Sequence, residues 1–181
     1  MTQDLQRTEV LREGGEELSF IPMLPVDLDQ VLAIELVSHI HPWTRGNFSD
    51  SLAAGHWAYC IRPKVDSVIK GSYLDPQALW AYCVLFPAVD ELHLLNITVA
   101  PGLRRKGIGV RMMNAIESVA AQQGMPRIIL EVRPSNLAAV NMYGSMGYEV
   151  IGTRNNYYPN NPNTGLREDA TVMAKSINLA L

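Results

Sequence analysis

The stretch RRKGIGVR, which begins at Arg104, combines cationic side chains with two glycines where a predicted strand meets a predicted helix. Backbone N–H groups at a helix N-terminus have no intrahelical acceptors, and the helix dipole adds partial positive charge. Gly107 and Gly109 carry no side chains that would keep an anion away from these donors. Arg104, Arg105 and Lys106 can neutralise a phosphate or a diphosphate. The stretch predicts a phosphate-binding turn, with an ordinary solvated basic surface as the open alternative.

Glu131 is a candidate general base because it is the one carboxylate in the apolar run RIILEV. A carboxylate among apolar residues must be desolvated or paired, and desolvation favours its protonated form. The alternative is an ion pair with Arg127 or Arg133, which composition alone favours. Tyr143 follows on a predicted amphipathic helix, where an aromatic side chain is usually part of the core. Neither residue identifies an activity by itself.

The histidines do not form a pattern that predicts a metal site. His39 and His41 are two residues apart, which directs them to different sides of a helix. His56 and His93 have no cysteine or carboxylate partner at the spacing of metal ligands. We therefore expect no metal in this protein.

The large aromatic residues divide into two groups. Trp43, Trp80 and Tyr82 lie in apolar surroundings and are expected to fill the core. Tyr157 and Tyr158 stand at the start of the Pro/Asn-rich stretch YYPNNPNTG, which predicts a loop. On such a loop the two rings could form an exposed wall against a substrate.

Composition narrows the class of protein. The 181 residues are 48% hydrophobic and 18% charged, which is typical of one α/β-sized domain, and we assign it to residues 18–181 after a polar, mobile leader over residues 1–17. The formal net charge of −3 provides no basic field for nucleic acid. The longest apolar stretch, residues 79–89, is too short to span a bilayer. Cys60 and Cys83 are expected to be small buried hydrophobic residues. These features predict a soluble cytoplasmic protein without a membrane partner.

Hydrophobic periodicity predicts alternating strands and helices. The expected strands cover residues 18–23, 56–62, 78–86, 91–99, 127–132, 148–153 and 170–177. The expected helices cover residues 28–38 and 45–54, a segment from Ile108 to about Gln123, and a segment from Ser135 or Asn136 to Met146. A surface excursion is expected between Pro63 and Gln77. The alternation predicts an α/β fold with a mixed sheet.

Two longer segments carry a resemblance to a known family. The arrangement LNITVAPGLRRKGIGVRMM, followed by IILEVRPSNLAAVNMYGSMGY, resembles the core of the GNAT acetyltransferases. Its [RQ]-x-x-G-x-[GA] signature matches at Arg104, Gly107 and Gly109. The resemblance covers about residues 18–177 and implies the GNAT fold, a mixed and mostly antiparallel central sheet flanked by about four helices.

The resemblance implies that acetyl-CoA is the co-substrate. It places the pyrophosphate of coenzyme A on the turn, at Arg105, Lys106, Gly107, Ile108, Gly109 and Val110. It also implies that the pantetheine arm pairs with the preceding strand at Ile97, Thr98 and Val99. Asn136 resembles a cofactor-contacting asparagine, although as a bare sequence feature it is also a helix N-cap.

The resemblance also assigns chemistry to the two candidate catalytic residues. It implies that Glu131 accepts a proton from the acceptor amine and that Tyr143 donates one to the departing thiolate. With ordinary pKa values of about 8.5 for a thiol and about 10 for a phenol, the mismatch in that proton transfer is about 2 kcal/mol. Transfer is then direct in a ternary complex, without a covalent enzyme intermediate.

The later segments resemble GNAT members that acetylate the N-terminal alanine of a ribosomal protein. RNNYYPNNPNTGLREDATVMA carries much of this likeness, and it implies that the N-terminus of a ribosomal protein is the partner. A lysine or a small-molecule amine remains open as the acceptor. A second alternative is a module that binds acyl-CoA without transferring the acyl group.

Overall fold

The protein is described by a computed structural model that covers residues 9–13, 16–64, 78–160 and 165–179. Most of the excursion predicted between Pro63 and Gln77, and part of the Pro/Asn-rich stretch, lie outside the described residues. The chain divides into two compact units. The first comprises Met1–Leu85 and Asn96–Ile116, and the second comprises Phe86–Leu95 and Glu117–Leu181.

The described residues form eight strands and four α-helices. The strands are β1 (Glu9–Glu13), β2 (Glu16–Pro22), β3 (Trp57–Pro63), β4 (Ala81–Pro87), β5 (Leu92–Val99), β6 (Arg127–Val132), β7 (Glu149–Tyr158) and β8 (Glu168–Ser176). The helices are α1 (Leu28–Ser38), α2 (Arg45–Ala53), α3 (Ile108–Gln122) and α4 (Leu137–Ser145). None of the described helices is long and apolar enough to cross a membrane.

The first unit contains an antiparallel run of strands in the order β1-β2-β3-β4. Helix α1 contributes Leu28 and Val31 to the apolar core of this unit, which also contains Phe48. Phe48 belongs to α2 and meets Tyr82 of β4 edge-on, with ring centroids 5.7 Å apart. Tyr82 and Trp80 are buried, as predicted for core aromatics, whereas Trp43 is partly buried and packs against the core.

In the second unit, Leu92–Leu94 of β5 run parallel to β6, and the strand order continues β6-β8-β7. Strand β8 runs antiparallel to both of its neighbours. This order places β7 and β6 on opposite sides of β8. Residues of β6 and β7 that share a β8 partner therefore lie across the same register position.

The strands and helices confirm the predicted α/β class with a mixed, mostly antiparallel sheet and four helices. Helix α1 has the predicted bounds, and it starts directly after Asp27 as expected. Two differences concern strands. Strand β7 extends to Tyr158, so Tyr157 and Tyr158 lie on a strand and not in the predicted loop. Strand β1 lies inside the range predicted as a polar leader.

The two cysteines agree with their predicted role. Cys60 on β3 and Cys83 on β4 are both fully buried and both free thiols. Burial raises the pKa of Cys60 to about 12, so its thiol stays protonated at neutral pH. A buried protonated thiol is a poor nucleophile, which fits a packing role.

Candidate active site

The predicted phosphate-binding turn follows β5 in the first unit. Arg105 and Gly107 both have a positive φ, 65° and 76°. These two residues reverse the chain so that α3 begins at Ile108. The Arg111 N–H donates to the Gly107 carbonyl over 3.0 Å, which closes the first turn of the helix. The sequence expectation of a strand, a glycine-rich turn and a helix start is confirmed.

The conformation of this turn fits an anion. The N–H groups of Ile108, Gly109 and Val110 belong to the first turn of α3, where helix geometry supplies no acceptor. Arg105, Lys106 and Gly107 are exposed. A Cβ built on Gly107 would meet no atom within 4 Å, so its approach side is open. Its φ of 76° is a conformation that glycine adopts without strain.

The end of β5 carries the three residues predicted to pair with pantetheine. Ile97 and Val99 are partly buried, and Thr98 is buried at 4% exposure. The Arg104 Nε donates to the Val99 carbonyl over 3.2 Å, which ties the turn to the strand. Thr98 Oγ1 lies 2.7 Å from His39 Nε2. The Thr98 side chain is therefore part of a polar network.

That network centres on Glu35, a residue of α1 that the sequence reasoning did not select. Its carboxylate is 1% exposed. The backbone N–H of Trp43 donates to Glu35 Oε1 over 2.8 Å, and the Tyr82 hydroxyl donates to Oε2. His39 Nε2 lies 3.3 Å from the same Oε2. Burial, followed by the hydrogen bond to Glu35, raises the pKa of Tyr82 well above its usual value, so the phenol remains a donor.

A sequence signal for Glu35 exists. It lies four residues after Val31, and both residues face the buried side of α1. An acidic residue on the apolar side of a helix predicts a partnered carboxylate. The sequence cannot name partners that come from β4 and from the segment after α1.

Glu131 on β6 is mostly buried, with a side-chain exposure of 13%. Its ion-pair partner is Arg154 of β7, with Nη1 3.2 Å from Oε1. The paired alternative weighed from the sequence is therefore correct in kind and wrong in partner. Arg127 pairs with Glu91 at 3.1 Å, and Arg133 pairs with Glu168 at 3.0 Å.

The strand register explains this pairing. Glu131 of β6 and Gly152 of β7 share one partner on β8, Val172. Arg154 lies two residues beyond Gly152, and alternate residues of a strand lie on the same face. Gly152 has no side chain, and a Cβ there would meet nothing within 4 Å. The Arg154 side chain can therefore reach across the register position to Glu131.

The aromatic pair at the end of β7 lies beside these charges. The Tyr157 and Tyr158 rings meet edge-on, with centroids 5.1 Å apart. Arg154 Cζ lies 5.4 Å from the Tyr157 centroid, and Arg133 Cζ lies 4.0 Å from that of Tyr158. Tyr157 is 42% exposed and Tyr158 is partly buried, and a contact of these rings with a substrate stays a prediction.

Tyr143 of α4 is buried, with 4% exposure, and its ring lies 5.8 Å from that of Tyr148. Burial, with a smaller effect of Tyr158, raises the pKa of Tyr143 well above the ordinary value for a phenol. The expected mismatch of about 2 kcal/mol with a thiol assumed an ordinary phenol, so the structure makes the mismatch larger. The hydroxyl of Tyr143 stays protonated across the physiological range.

Tyr158 is partly buried and lies beside charged groups. Burial raises its pKa to about 12, and Arg133 opposes this while Tyr157 and Glu131 add to it. Tyr158 also contributes to the raised pKa of Tyr143.

Asn136 is an N-cap, as the sequence allowed. Its Oδ1 accepts the Ala139 N–H over 3.3 Å at the start of α4. Glu168 supports the same helix start by accepting the Ser135 N–H over 2.9 Å. Partial burial alone would raise the pKa of Glu168, but hydrogen bonds from Ser135 and the Arg133 guanidinium hold it below its usual value. The Asn136 amide is exposed, and a contact with a cofactor remains a prediction.

The part of the chain that the structure describes contains no group of three or more His, Cys, Asp or Glu side chains that could hold a metal ion. The His39 side chain belongs to the Glu35 network.

Comparison with known proteins agrees with this architecture. A [ribosomal protein bS18]-alanine N-acetyltransferase of Haemophilus ducreyi is 28% identical over 148 residues, which is 82% of this chain and 92% of that protein. The crystal structure of the ribosomal-protein-S18-alanine N-acetyltransferase from Escherichia coli has a TM-score of 0.76 and 27% identity, covering 91% of this chain and 96% of that one. Arabidopsis thaliana NAA60 in complex with acetyl-CoA shares the fold, with a TM-score of 0.73 and 15% identity over 89% of this chain and 99% of that one.

A family model fixes the classification. The model for the acetyltransferase (GNAT) family matches residues 28–148, a range that contains the glycine-rich turn and both predicted catalytic residues. This chain belongs to the acetyltransferase (GNAT) family.

Proposed function

We propose that this enzyme transfers the acetyl group of acetyl-CoA to the α-amine of the N-terminal alanine of ribosomal protein bS18. An alanine of bS18 is the acceptor in the names of the relatives of this enzyme. The observation that carries the proposal is the likeness to a bS18-alanine N-acetyltransferase over 92% of that relative's length. The chain covers almost the whole of that relative, so the likeness extends beyond the shared acetyl-CoA-binding core.

The turn between β5 and α3 is the proposed binding site for the diphosphate of acetyl-CoA. The open side of Gly107, the first N–H groups of α3 and the exposed Arg105 and Lys106 together match a dianion. Ile97, Thr98 and Val99 offer the strand on which the pantetheine arm is proposed to lie. Acetyl-CoA supplies the thioester, and the remaining steps belong to the side chains of this chain.

Glu131 is the proposed proton acceptor. The acceptor amine must lose a proton before it can attack a carbonyl carbon, and Glu131 is a mostly buried carboxylate with a single cationic partner among the described residues. A peptide α-amine has a pKa of about 7.7 to 8.0, so roughly a tenth of it is already neutral at pH 7. A lysine amine, near 10.4, is neutral in well under a thousandth of molecules. A carboxylate base therefore suits an α-amine better than a lysine.

Tyr143 is the proposed proton donor to the departing thiolate. Its raised pKa keeps the hydroxyl protonated, which a donor requires. The same shift makes it a weaker acid, so donation needs a strongly basic thiolate at the moment of C–S cleavage. The attacking nitrogen gave its first proton to Glu131. It loses a second proton once it is bonded to the carbonyl carbon, and this proton restores the Tyr143 hydroxyl.

The test compares two peptides with the starting sequence of bS18. One has a free N-terminal alanine, and the other is N-terminally blocked but keeps free lysines. We expect acetyl-CoA-dependent mass gain only for the free α-amine. Equal gain on the blocked peptide would show a lysine enzyme, and gain on neither would indicate a small-molecule acceptor or a protein that only binds acyl-CoA.

A further inference from the structure

We propose that, in the free enzyme, the Arg154 guanidinium lies beside the Glu131 carboxylate at the position that the substrate ammonium will take. The N-terminal ammonium of the acceptor then displaces Arg154 from this position. This inference rests on the proposed function, in which Glu131 takes the proton of the acceptor. Arg154 is then a positioning residue that competes with the substrate for one carboxylate. It is not itself a proton donor or acceptor, because a guanidinium stays protonated throughout the physiological range.

Arg154 and the substrate ammonium need the same carboxylate, that of Glu131. Among the described residues its only ion-pair partner is Arg154, at 3.2 Å from Oε1. A substrate ammonium that is to give its proton to Glu131 must come within hydrogen-bond reach of the same carboxylate. Two cations on a 13% exposed carboxylate repel each other, so the arrival of one favours the departure of the other.

Arg154 is exposed and is therefore held only weakly by Glu131. Its side chain is 54% exposed, and an ion pair with such a partner is worth at most about 1 kcal/mol. Its guanidinium also lies 5.4 Å from the Tyr157 ring centroid, which gives it an aromatic contact when it leaves Glu131.

Arg133, in the same unit, is held more firmly than Arg154. It is 23% exposed, pairs with Glu168 at 3.0 Å and stacks 4.0 Å above the Tyr158 ring centroid. Glu168 is held in turn by the Ser135 N–H. Arg154 is less buried than Arg133, and among the described residues no backbone N–H fixes its partner Glu131 as Ser135 fixes Glu168. A competing cation can therefore move Arg154 more easily than Arg133.

The register makes the exchange possible without backbone motion. The space across which Arg154 reaches is the one left by Gly152, where a Cβ would meet nothing within 4 Å. A long side chain that spans an empty position can rotate away without breaking the β7–β8 pairing. Gly152, Thr153 and Arg154 pair in register with β8, and Val150 pairs with it on the other side of an irregularity between Val150 and Gly152.

Steady-state kinetics with the free-alanine peptide tests the exchange. The variants are Arg154→Gln, which removes the competing cation, Arg154→Lys, which keeps it, and Arg127→Gln as matched control. Arg127 lies on β6, is 40% exposed and pairs with another carboxylate, Glu91. We expect Arg154→Gln to lower the KM for the peptide by up to about fivefold, the equivalent of an exposed ion pair, with kcat within about twofold. Arg154→Lys and Arg127→Gln are expected to leave this KM within about twofold.

The outcomes separate this inference from the function on which it rests. A wild-type enzyme that does not acetylate the α-amine refutes the proposed function, and the inference fails with it. A wild-type enzyme that does so, together with an Arg154→Gln variant whose KM for the peptide is unchanged or raised, refutes the inference alone. A fall in kcat shared by Arg154→Gln and Arg154→Lys would show instead that the guanidinium must stay on Glu131 during turnover.

Discussion

The Tyr82 hydroxyl donates a hydrogen bond to the carboxylate of Glu35, which is 1% exposed. This contact joins β4 to α1, and the Trp43 N–H and His39 add the segment that follows α1. Since the same His39 contacts Thr98, the network connects α1 with the strand proposed to hold the pantetheine arm.

Loss of the Glu35 carboxylate is expected to destabilise the protein. Glu35→Ala leaves the Trp43 N–H and the Tyr82 hydroxyl without their acceptor, which costs about 3 kcal/mol or more in the free energy of unfolding. Tyr82→Phe, a smaller change, is expected to cost about 1.5 to 3 kcal/mol. The control is Asp29→Ala, which removes an exposed ion pair with Arg45 from the same helix and should cost less than about 1 kcal/mol. Urea denaturation that finds equal costs at Glu35 and Asp29 would contradict this reading.

Glu131→Gln is expected to lower kcat/KM for the acceptor peptide by a factor of about 10² to 10⁴, the usual contribution of a general base. The matched change is Glu91→Gln, another carboxylate of the second unit paired with an arginine at about the same distance, 3.1 Å. It should leave kcat/KM within about twofold. Acetyl-CoA binding, followed by calorimetry, should be retained in both variants. Similar rates for the two variants would remove Glu131 from the mechanism.

Tyr143→Phe is expected to lower kcat by about 10²-fold, since it removes the donor but keeps the ring in place. Tyr148→Phe is the control, because Tyr148 is equally buried and lies 5.8 Å from Tyr143. The pH profile adds a second measurement. Because the pKa of Tyr143 is raised, its hydroxyl remains protonated as pH rises through the ordinary phenol value of about 10. A loss of kcat near pH 10 in the wild type that disappears in Tyr143→Phe would contradict that shift.

Gly107→Ala tests the turn. A side chain at φ 76° is strained by about 1 to 2 kcal/mol, and the expected result is a several-fold rise in the KM for acetyl-CoA as the turn distorts. Gly102→Ala is the matched change, because Gly102 precedes the same turn, has no positive φ and has open space around it. Only Gly107→Ala is expected to raise this KM. Equal effects would mean that the conformation of Gly107 is irrelevant to binding.

Glu168 predicts a pH dependence of stability. Its pKa is lowered in the folded state, so its stabilisation is fully present above the unfolded-state pKa, about 4.3, and is lost as pH falls through the folded-state value below that. Wild type and Glu168→Gln are compared by urea denaturation at pH 7, 5 and 3. The wild type should be more stable at pH 7 and 5, and the difference should shrink at pH 3. A difference that does not change with pH would show that the charge of Glu168 contributes nothing.

Local sequence signals were sufficient for most of the fold. Helix α1 has its predicted bounds, and α4 ends where Gly147 adopts a φ of 87°, as expected for a glycine at a helix C-terminus. Strand β7 was underestimated because its second half depends on pairing with β8, including an irregularity at Asn156, where φ is 53°. Pairing with a distant strand is not encoded in the local pattern.

The residues of the candidate site were predictable by type but not by partner. The turn at Gly107 and the buried position of Glu131 follow from short segments. The partner of Glu131 is Arg154, 23 residues later in the sequence. Their contact depends on the strand register, in which Glu131 and Gly152 both pair with Val172 of β8. The Glu35 network likewise brings together α1, β4 and β5, whose spacing in the chain gives no periodic signal.

The central claim is tested most directly by locating the acetyl group on full-length, unmodified bS18 after incubation with this enzyme and acetyl-CoA. Fragmentation mass spectrometry distinguishes the α-nitrogen of the first alanine from every lysine side chain. The account predicts one acetyl group, on that α-nitrogen, and none with the Glu131→Gln variant over the same time. Acetylation confined to lysines, or no acetylation of bS18 by the wild type, would contradict it.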